Sequence, residues 1–590
     1  MMSKKTLSSI LLALAVSICL SSLAIGQEIS GSVVGTVKDS AGAVVPGATV
    51  TLTDPAKDNQ VIRTVSTNEG GEFTAANVPI STYDITVEAP NFKKAVSTGV
   101  KVDVGQRRNV EIALTAGDVS ETVTIEADRV SVELNTPTVA TTISGDQVRE
   151  LPINNRNFVQ LLTLAPGVSS NLADQVYVGT TNPDGQANTI QISVNGARSS
   201  QNTFTVDGAD ITDRGSNLTI QAYPSVDSIG EFKVLRSLYP AESGRSGGGQ
   251  VNIVTRSGGD EFHGSFFEFV RNERFNAGTY FNNQTQPRDA NGKATRPPFR
   301  YNNFGLTVGG PIYFLKFGEK EPGDPYFGKI EKTYFFFSQE FRHDIRFPTL
   351  NSNVPSAGLR QGVFTVPICL QATGTTCNSV LNAGTPLSSV ATINPISQQY
   401  LTNIYNKLPL PNVSQFGLSF PTRGVSKFHQ EIVKVDTSFS EDWTAYYRYQ
   451  NDTIPTVDAN ALFSQGSSLP GVSTTETNSP GRTHTFNTNY VITPNLLVDA
   501  GYTYGYGAIL SSTVGTLALS NSPITPPLPF PVQRDRVPTV TGNGFSNRQG
   551  FGPYDNFSWK QNVNGAVTWI KGNHTMKFGT VYSMYRKNEN

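Results

Sequence analysis

The first candidate for chemistry is residues 244–248, GRSGG, which contain the pattern G-x-S-x-G of a nucleophile elbow. In an elbow the serine lies on a tight turn between a strand and a helix. The residues that follow Ser246, QVNIVTRSGG, alternate apolar and polar side chains as a strand does. A secreted hydrolase that uses Ser246 is therefore only a remote alternative, and we expect no catalytic residues.

Metal and cofactor chemistry also lack their usual patterns. Five histidines are scattered singly along the chain, with no H-E-x-x-H pair: His263, His343, His429, His484 and His574. Neither a P-loop nor a dinucleotide-binding fingerprint occurs. We expect no metal and no cofactor.

A turn-rich stretch, VNGARSSQNTFTVDGADITD, carries four charged side chains among glycines and short apolar triplets. They are Arg198, Asp207, Asp210 and Asp213. The pairs N-G and D-G are typical of tight hairpin turns. Calcium binding by the three aspartates is one hypothesis, but their spacing matches no standard calcium loop. Polar contact with another part of the protein is the interpretation we favour.

The N-terminal residues have the pattern of a secretory signal peptide, residues 1–26. Two lysines precede an apolar run, residues 10–20, and small residues follow it. A membrane anchor is the alternative, but the run is shorter than the roughly 20 residues that a spanning helix needs. Export permits a disulfide between Cys369 and Cys377, with free thiols as the alternative.

Composition favours a protein of several domains that is rich in strands. The 590 residues include 33 Phe, 21 Tyr, 53 Gly and 35 Pro. Lys plus Arg, at 46, nearly equals Asp plus Glu, at 47, so no overall charge favours nucleic acid as a partner. After the signal peptide no segment is apolar enough for a membrane helix. A place in a membrane would therefore require a β-barrel.

Residues 30–115 form the first predicted domain, in which apolar and polar residues alternate on both sides of glycine-containing turns. This pattern resembles the transthyretin-like, carboxypeptidase regulatory-type domain, a seven-stranded β-sandwich with a carbohydrate-binding-like fold. The sequence departs from that family at Ser81 and Asn91, where glycine is common. The resemblance implies no catalysis. It leaves a structural spacer and a sugar-binding module as alternatives, of which we favour the spacer.

Residues 117–260 form the second predicted domain. The extended stretch GDVSETVTIEADR is followed by LPINNRNFVQLLTLAPGV and then by the turn-rich stretch described above. These segments, in this order, resemble the plug domain of TonB-dependent outer-membrane receptors, particularly the Oar-like group. The expected fold is a small α+β plug inside a barrel. The resemblance implies that the four charged side chains face polar barrel walls.

The same resemblance places the TonB box at Glu121, Thr122, Val123, Thr124 and Ile125. These residues would pair with a TonB-type energy-transducing protein by adding a strand to its sheet. A linker strand between two domains is the alternative interpretation.

Residues 262–590 have the dyad alternation of a transmembrane antiparallel β-barrel. In the run from Trp443 to Gln450, alternate side chains suit lipid and lumen. Short connections alternate with long ones, at about 344–427, 452–481 and 507–556, as in barrels with short periplasmic turns and long external loops. A soluble sandwich is the alternative. About nine strands can be counted, and large receptor barrels have about 22, so we expect an incomplete, N-terminal part of the barrel.

The function that these resemblances imply is energy-coupled uptake of an unidentified substrate through the outer membrane. Oligosaccharides, peptides and siderophores are the candidate classes, and membrane lipid is an expected partner. The alternative is an outer-membrane protein for surface adhesion or glycan binding that moves no solute.

Overall fold

The computed structural model describes most of the chain after the predicted signal peptide, which lies outside the described residues. The description covers residues 30–589 except 119–120, 127–135, 154–155, 171–189, 214, 216, 279, 286–287, 297, 316–325, 348, 459–468, 470, 473, 516–517, 528–529, 531–534, 539–553 and 573. Within this part of the chain, no helix has the length and hydrophobicity to cross a membrane.

The first domain is a β-sandwich, as its alternation predicts. Its strands are β1 (Ser30–Asp39), β2 (Thr49–Asp54), β3 (Gln60–Ser66), β4 (Glu72–Pro79), β5 (Ser81–Glu88), β6 (Lys94–Val102), β7 (Arg107–Leu114) and β8 (Thr122–Glu126), with a 3-10 turn at Pro55–Lys57. One sheet has the order β4-β1-β7 and the other β3-β2-β5-β6-β8. Buried side chains such as Val33, Leu52 and Tyr83 fill the space between them. At Asn91, where the family often has glycine, φ is 67°, so the asparagine adopts the left-handed conformation itself.

The plug is a small mixed domain around one sheet. Its strands are β9 (Val139–Ser144), β10 (Val168–Ser170), β11 (Ile192–Val194), β12 (Thr203–Val206), β13 (Ala209–Asp210), β14 (Ile229–Ser237) and β15 (Gln250–Thr255). Helix α1 (Gly145–Glu150) and 3-10 helices at Phe158–Leu164, Ser199–Gln201 and Val226–Ser228 complete it. The main sheet has the order β13-β12-β15-β14-β9. Short strands give it a compact apolar core centred on Phe158 and Phe232, whose rings lie 6.1 Å apart.

The third domain is built on one large antiparallel sheet. Its strands and those of its connections are β16 (His263–Asn272), β17 (Phe299–Leu315), β18 (Phe327–Arg346), β19 (Thr349–Asn353), β20 (Ile368–Thr373), β21 (Thr376–Leu381), β22 (Gly417–Pro421), β23 (Gly424–Ser438), β24 (Trp443–Thr453), β25 (Thr456–Asp458), β26 (Thr475–Asn478), β27 (Gly481–Thr493), β28 (Leu496–Thr513), β29 (Tyr554–Lys571) and β30 (His574–Glu589). The long strands pair in the order β16-β17-β18-β23-β24-β27-β28-β29-β30. Within the described residues, β16 and β30 are the two edges of this sheet.

The long strands bury polar side chains and expose apolar ones. Arg448 and Gln430 are fully buried on the inner face, where Lys560 is 1 % exposed, whereas Trp443 and Trp569 are 45 % and 41 % exposed on the outer face. A soluble sandwich would do the reverse, because it has to remove apolar surface from water. The inverted pattern fits a wall with lipid outside and a polar interior, with aromatic side chains near the short turns.

The long connections between the barrel strands pack together instead of standing apart. They contain helices α2 (Tyr280–Thr285), α3 (Ala357–Arg360) and α4 (Pro395–Asn403), and 3-10 turns at Leu387–Ser389, Tyr405–Lys407 and Leu519–Asn521. Side chains from three connections form one apolar cluster: Val354, Tyr400, Ile404, Leu408, Leu418, Phe420, Leu469, Val472, Ile524 and Val537. A disulfide joins Cys369 to Cys377 across the β20–β21 hairpin.

The sandwich lies against the end of the barrel that has the short turns. Asn77 donates a hydrogen bond of 2.6 Å from Nδ2 to Oδ2 of Asp499 on β28. Ala76 packs beside Val491 and Leu497 at the β27–β28 turn. By the usual asymmetry of such barrels this is the periplasmic end, so the sandwich and β8 lie on that side.

Candidate functional site

The centre of the candidate site is Asp207, in the D-G pair that joins β12 to β13. Asp207 and Gly208 have φ values of 45° and 73°, as the predicted hairpin turn requires. This turn directs the carboxylate into the barrel wall. Asp207 Oδ2 lies 3.0 Å from Nε of Arg448, and Oδ1 lies 3.4 Å from Nζ of Lys434. The Asp207 side chain is 1 % exposed, so a charge pair from two domains is enclosed between plug and barrel.

Further hydrogen bonds fix this carboxylate within the plug. Thr255, at the end of β15, donates to it from its backbone N–H at 2.9 Å and from its hydroxyl at 2.6 Å. The Tyr446 hydroxyl of the barrel donates to the Asp207 carbonyl at 2.6 Å. Because the acceptors are satisfied from both domains, desolvation of the charges is compensated.

The other charged residues predicted for the plug have different positions. Asp210 pairs with Nζ of Lys560 on β29, whose side chain is 1 % exposed. Asp213 accepts a hydrogen bond of 3.2 Å from the Tyr585 hydroxyl on β30. Arg198 is exposed and begins a 3-10 turn. The structure therefore brings the three aspartates to the barrel wall, whereas Arg198 makes no contact with the described residues of the wall.

The sequence did not predict a second region of polar contact between plug and barrel, at Arg156 and Tyr223. Arg156 of the plug pairs with Asp227 of the plug, and its guanidinium carbon lies 4.2 Å from the ring centroid of Phe269 on β16. Beside it, the Tyr223 N–H donates to Asp452 Oδ2 at 2.8 Å, and Gln430 Nε2 donates to the Tyr223 carbonyl at 2.9 Å. The polar residues at inward-facing positions of the barrel strands could have indicated that such contacts exist. Their partners in the plug could not be predicted, because they depend on tertiary structure.

Together these contacts make an interface of hydrogen bonds and ion pairs, with apolar contact where Phe428 and Ile454 of the barrel pack against the plug core beside Tyr223. Its groups are also able to bond to water, so displacement of the plug would exchange partners rather than expose a large apolar core. The arrangement suits a domain that fills a wide barrel with a polar interior.

The segment predicted as the TonB box is a strand at the edge of the sandwich. β8 runs parallel to β6, with Lys94 opposite Thr122 and Val96 opposite Thr124. The Lys94 N–H donates to the Glu121 carbonyl at 2.9 Å, and Lys93 forms an ion pair with Glu121. A linker between two domains would not be expected to pair with β6. In the structure, β8 is instead the fifth strand of this sandwich sheet.

A buried carboxyl joins the sandwich to the plug. Glu231 on β14 accepts a hydrogen bond of 2.5 Å from the Val104 N–H in the β6–β7 turn, and Lys101 lies 3.9 Å from it. Burial, and then the neighbouring charge of Asp103, raise the pKa of Glu231 to about 7. A carboxyl with a raised pKa favours the docked state when it is protonated.

This pKa predicts how the contact between sandwich and plug depends on pH. The Glu231 carboxyl has an ordinary pKa of 4.5 when exposed and about 7 when docked, so docking should weaken as the pH rises between these values. The physical reason is that burial favours the neutral form of the carboxyl in the docked state. We expect the melting temperature of the purified protein to fall over this range, and Glu231→Gln, which keeps the acceptor oxygen, to flatten the fall. An equal fall in both proteins would contradict this.

The residues considered for catalysis and metal binding make contacts with other parts of the fold. Ser246 precedes β15, a strand where a nucleophile elbow needs a helix, and its carbonyl accepts a hydrogen bond of 2.9 Å from the Tyr239 hydroxyl. In the described part of the chain, no group of three His, Cys, Asp or Glu side chains is placed to hold a metal ion. The three aspartates of the plug instead contact barrel residues.

Sequence models of three domain families match this chain. They are a carboxypeptidase regulatory-like domain over residues 32–115, a TonB-dependent receptor plug domain over 132–251 and an outer membrane beta barrel domain over 254–590. The TonB-dependent transporter Oar of Myxococcus xanthus is 26% identical over 300 residues, which cover 48% of this chain and 25% of that protein. The chain thus matches a quarter of the length of this relative.

Solved structures that match part of this chain include outer-membrane transporters. The transporter YddB of Escherichia coli matches 76% of this chain and 47% of its own, with a TM-score of 0.45 and 12% identity. The siderophore receptor PirA of Acinetobacter baumannii matches 76% and 48%, with a TM-score of 0.38 and 12% identity. The barrel model covers more than half of this chain, and the plug and sandwich models agree with the order of its domains. The chain belongs to the outer-membrane β-barrel family, and residues 32–115 and 132–251 match the carboxypeptidase regulatory-like and TonB-dependent receptor plug domain models.

Proposed function

We propose that this protein takes up a substrate across the outer membrane and that a TonB-type partner supplies the energy. The observation that carries the proposal is the Asp207 contact, in which a plug carboxylate meets the buried cations Arg448 and Lys434 of the barrel wall. A plug held in this way closes the lumen, and passage of a large solute requires that it move. The plug has no energy source of its own, so the pull has to come from a partner.

The partner contact that we propose is Glu121 to Ile125. These residues belong to an extended segment with exposed side chains at Thr122, Val123 and Thr124. They lie on the same side as the short barrel turns, where a periplasmic partner would reach them. An extended strand with an open edge is a common way for one protein to capture another.

The substrate would enter from the opposite end, past the apolar cluster of the long connections. Oligosaccharides, peptides and siderophores remain the candidate classes. We also propose a sandwich that comprises residues 30–115 together with β8, a boundary between plug and barrel at residues 260–262, and removal of residues 1–26 as a signal peptide after export to the outer membrane.

Capture of the partner tests this function. The purified protein is expected to bind the periplasmic domain of a TonB-type protein from the same cells, and Thr124→Pro is expected to reduce the affinity at least about tenfold, because proline removes a backbone donor. Thr124→Ala is the matched control and should bind as the unchanged protein does. Equal binding by the proline variant would contradict the proposal and favour the adhesion alternative, which needs no energy-transducing partner.

A further inference from the structure

We propose that the N-terminal sandwich transmits force from the partner to the plug, an inference that rests on the proposed function. In this account β8 stays on the sandwich while the partner adds a strand to its free edge. The pull then passes through the sandwich to the β6–β7 turn and from there to β14 of the plug. The sandwich is thus a mechanical coupler, not a spacer.

One edge of β8 is open to an added strand. Within the described residues β8 pairs with β6 alone, and it lies at the end of the sheet order β3-β2-β5-β6-β8. The Glu121 carbonyl bonds to β6. Since the peptide groups of a strand point alternately to either side, those of Val123 also face β6 and those of Thr122 and Thr124 face outward.

Addition to this edge leaves every existing contact in place. Removal of β8 from the sandwich would instead break its ladder with β6 and the ion pair between Lys93 and Glu121. Edge strands are usually protected by proline, bulges or inward-pointing charges. Residues 122–125, TVTI, have none of these and are β-branched throughout, so the edge is suited to pairing.

Charge indicates what kind of strand would add there. Residues 118–128, DVSETVTIEAD, contain four acidic residues and no basic residue. An added strand that carries lysine or arginine would be complementary to this segment. The partner surface that we infer is therefore an exposed basic β-strand.

Two hydrogen bonds attach the sandwich to the plug. In the β6–β7 turn, the Val104 N–H donates to Glu231 at 2.5 Å, and the Gly105 carbonyl accepts from Lys233 at 3.2 Å. Glu231 and Lys233 are only 4% and 2% exposed. Two buried hydrogen bonds therefore attach the turn to β14, and the one that the Lys233 ammonium donates is charge-assisted.

From β14 the plug sheet leads directly to the barrel contact. β14 pairs with β15, and β15 pairs with β12, which ends at the turn of Asp207. Thr255 on β15 also donates to the Asp207 carboxylate. A pull on the sandwich therefore reaches the ion pair with Arg448 through continuous hydrogen-bonded structure.

A disulfide between β6 and β8 tests whether β8 stays in place. Val96 and Thr124 are directly opposite, at a strand spacing that a disulfide can bridge. We expect Val96→Cys with Thr124→Cys, once oxidised, to capture the TonB-type domain within about twofold of its reduced form. The matched control is Thr51→Cys with Thr86→Cys, which staples the paired strands β2 and β5 of the same sandwich. At least a tenfold loss of capture in the β6–β8 variant alone would overturn the inference, because β8 would then have to leave the sandwich.

A second variant tests the grip on the plug in cells that make the full protein. The test protein carries Ala209→Cys in the plug, and labelling of this thiol is compared in energised and de-energised cells. Addition of Glu231→Ala with Lys233→Ala should leave capture of the partner unchanged but abolish the energy-dependent labelling. Glu231→Gln, which keeps the acceptor, should retain that labelling. Unchanged labelling in the double variant would overturn the inference. If the unaltered protein itself captured no TonB-type domain, the proposed function would fail first, which distinguishes the two failures.

Discussion

Replacement of Asp207 by asparagine is expected to reduce the stability of the plug within the barrel by about 3–5 kcal/mol. The change leaves Arg448, which is fully buried, without its anionic partner, and a buried unpaired cation is strongly unfavourable. Asparagine tolerates the left-handed backbone that residue 207 adopts; its amide oxygen can accept from the Thr255 N–H, and its NH2 group can donate to the Thr255 hydroxyl in place of the present O–H donation. The loss therefore reports the ion pair and not the turn.

Hydrogen exchange of the peptide that spans β12 and β13 measures this effect directly, since it reports local opening free energies. Asp213→Asn is the control, because its contact with Tyr585 lies at a partly exposed site and should change protection by less than about 1 kcal/mol. A double variant, Asp207→Asn with Arg448→Met, should recover part of the loss, because Arg448 is then no longer an unpaired cation while Lys434 still lacks the carboxylate. Protection in Asp207→Asn equal to that of the unchanged protein would show that the pair does not hold the plug.

Phe158→Ala is expected to destabilise the plug core by about 3–5 kcal/mol. Phe158 is fully buried, and its ring lies 5.1 Å from that of Tyr223 and 6.1 Å from that of Phe232. The alanine variant leaves a cavity in a domain whose single core is small. Because Tyr223 also binds Asp452 of the barrel, the loss should spread to the edge of the plug.

Leu164→Ala is the matched control for this variant. Leu164 lies in the same 3-10 helix but is 54% exposed, so its removal should cost less than about 1 kcal/mol. Hydrogen exchange should lose protection in plug peptides of Phe158→Ala and keep it in barrel strands such as β28. Equal loss in plug and barrel would mean that the two domains unfold as one unit.

The fold was largely predictable because each domain has a strong local pattern. Alternation along β24 placed Trp443 outside and Arg448 inside, as the structure shows. The D-G pair at Asp207 predicted its hairpin because few residues accept two consecutive positive φ values. The disulfide hairpin of Cys369 and Cys377 was one of two alternatives, and the structure contains it.

The features that the sequence did not predict depend on contacts between residues far apart in the chain. The pairing of Thr122 with Lys94 joins two segments that the sequence assigned to different domains, and no local signal shows it. Arg156 has a positive φ of 51° and meets Asp227 and Phe269 only in the folded protein. The long connections were predicted as loops, yet Tyr400 packs in an apolar core that three of them share. The sequence did not indicate this core, because its apolar residues are scattered over long segments without periodicity.

Thiol labelling of Ala209→Cys shows whether an energised partner moves the plug. Ala209 is fully buried in the plug, and Cys369 and Cys377 are bonded to each other, so neither competes for the reagent. Cells that make this variant would be treated with a fluorescent maleimide, with and without a protonophore. We expect labelling in energised cells only, and its loss when Thr124→Pro is added. Labelling that is equal in energised and de-energised cells would contradict the account.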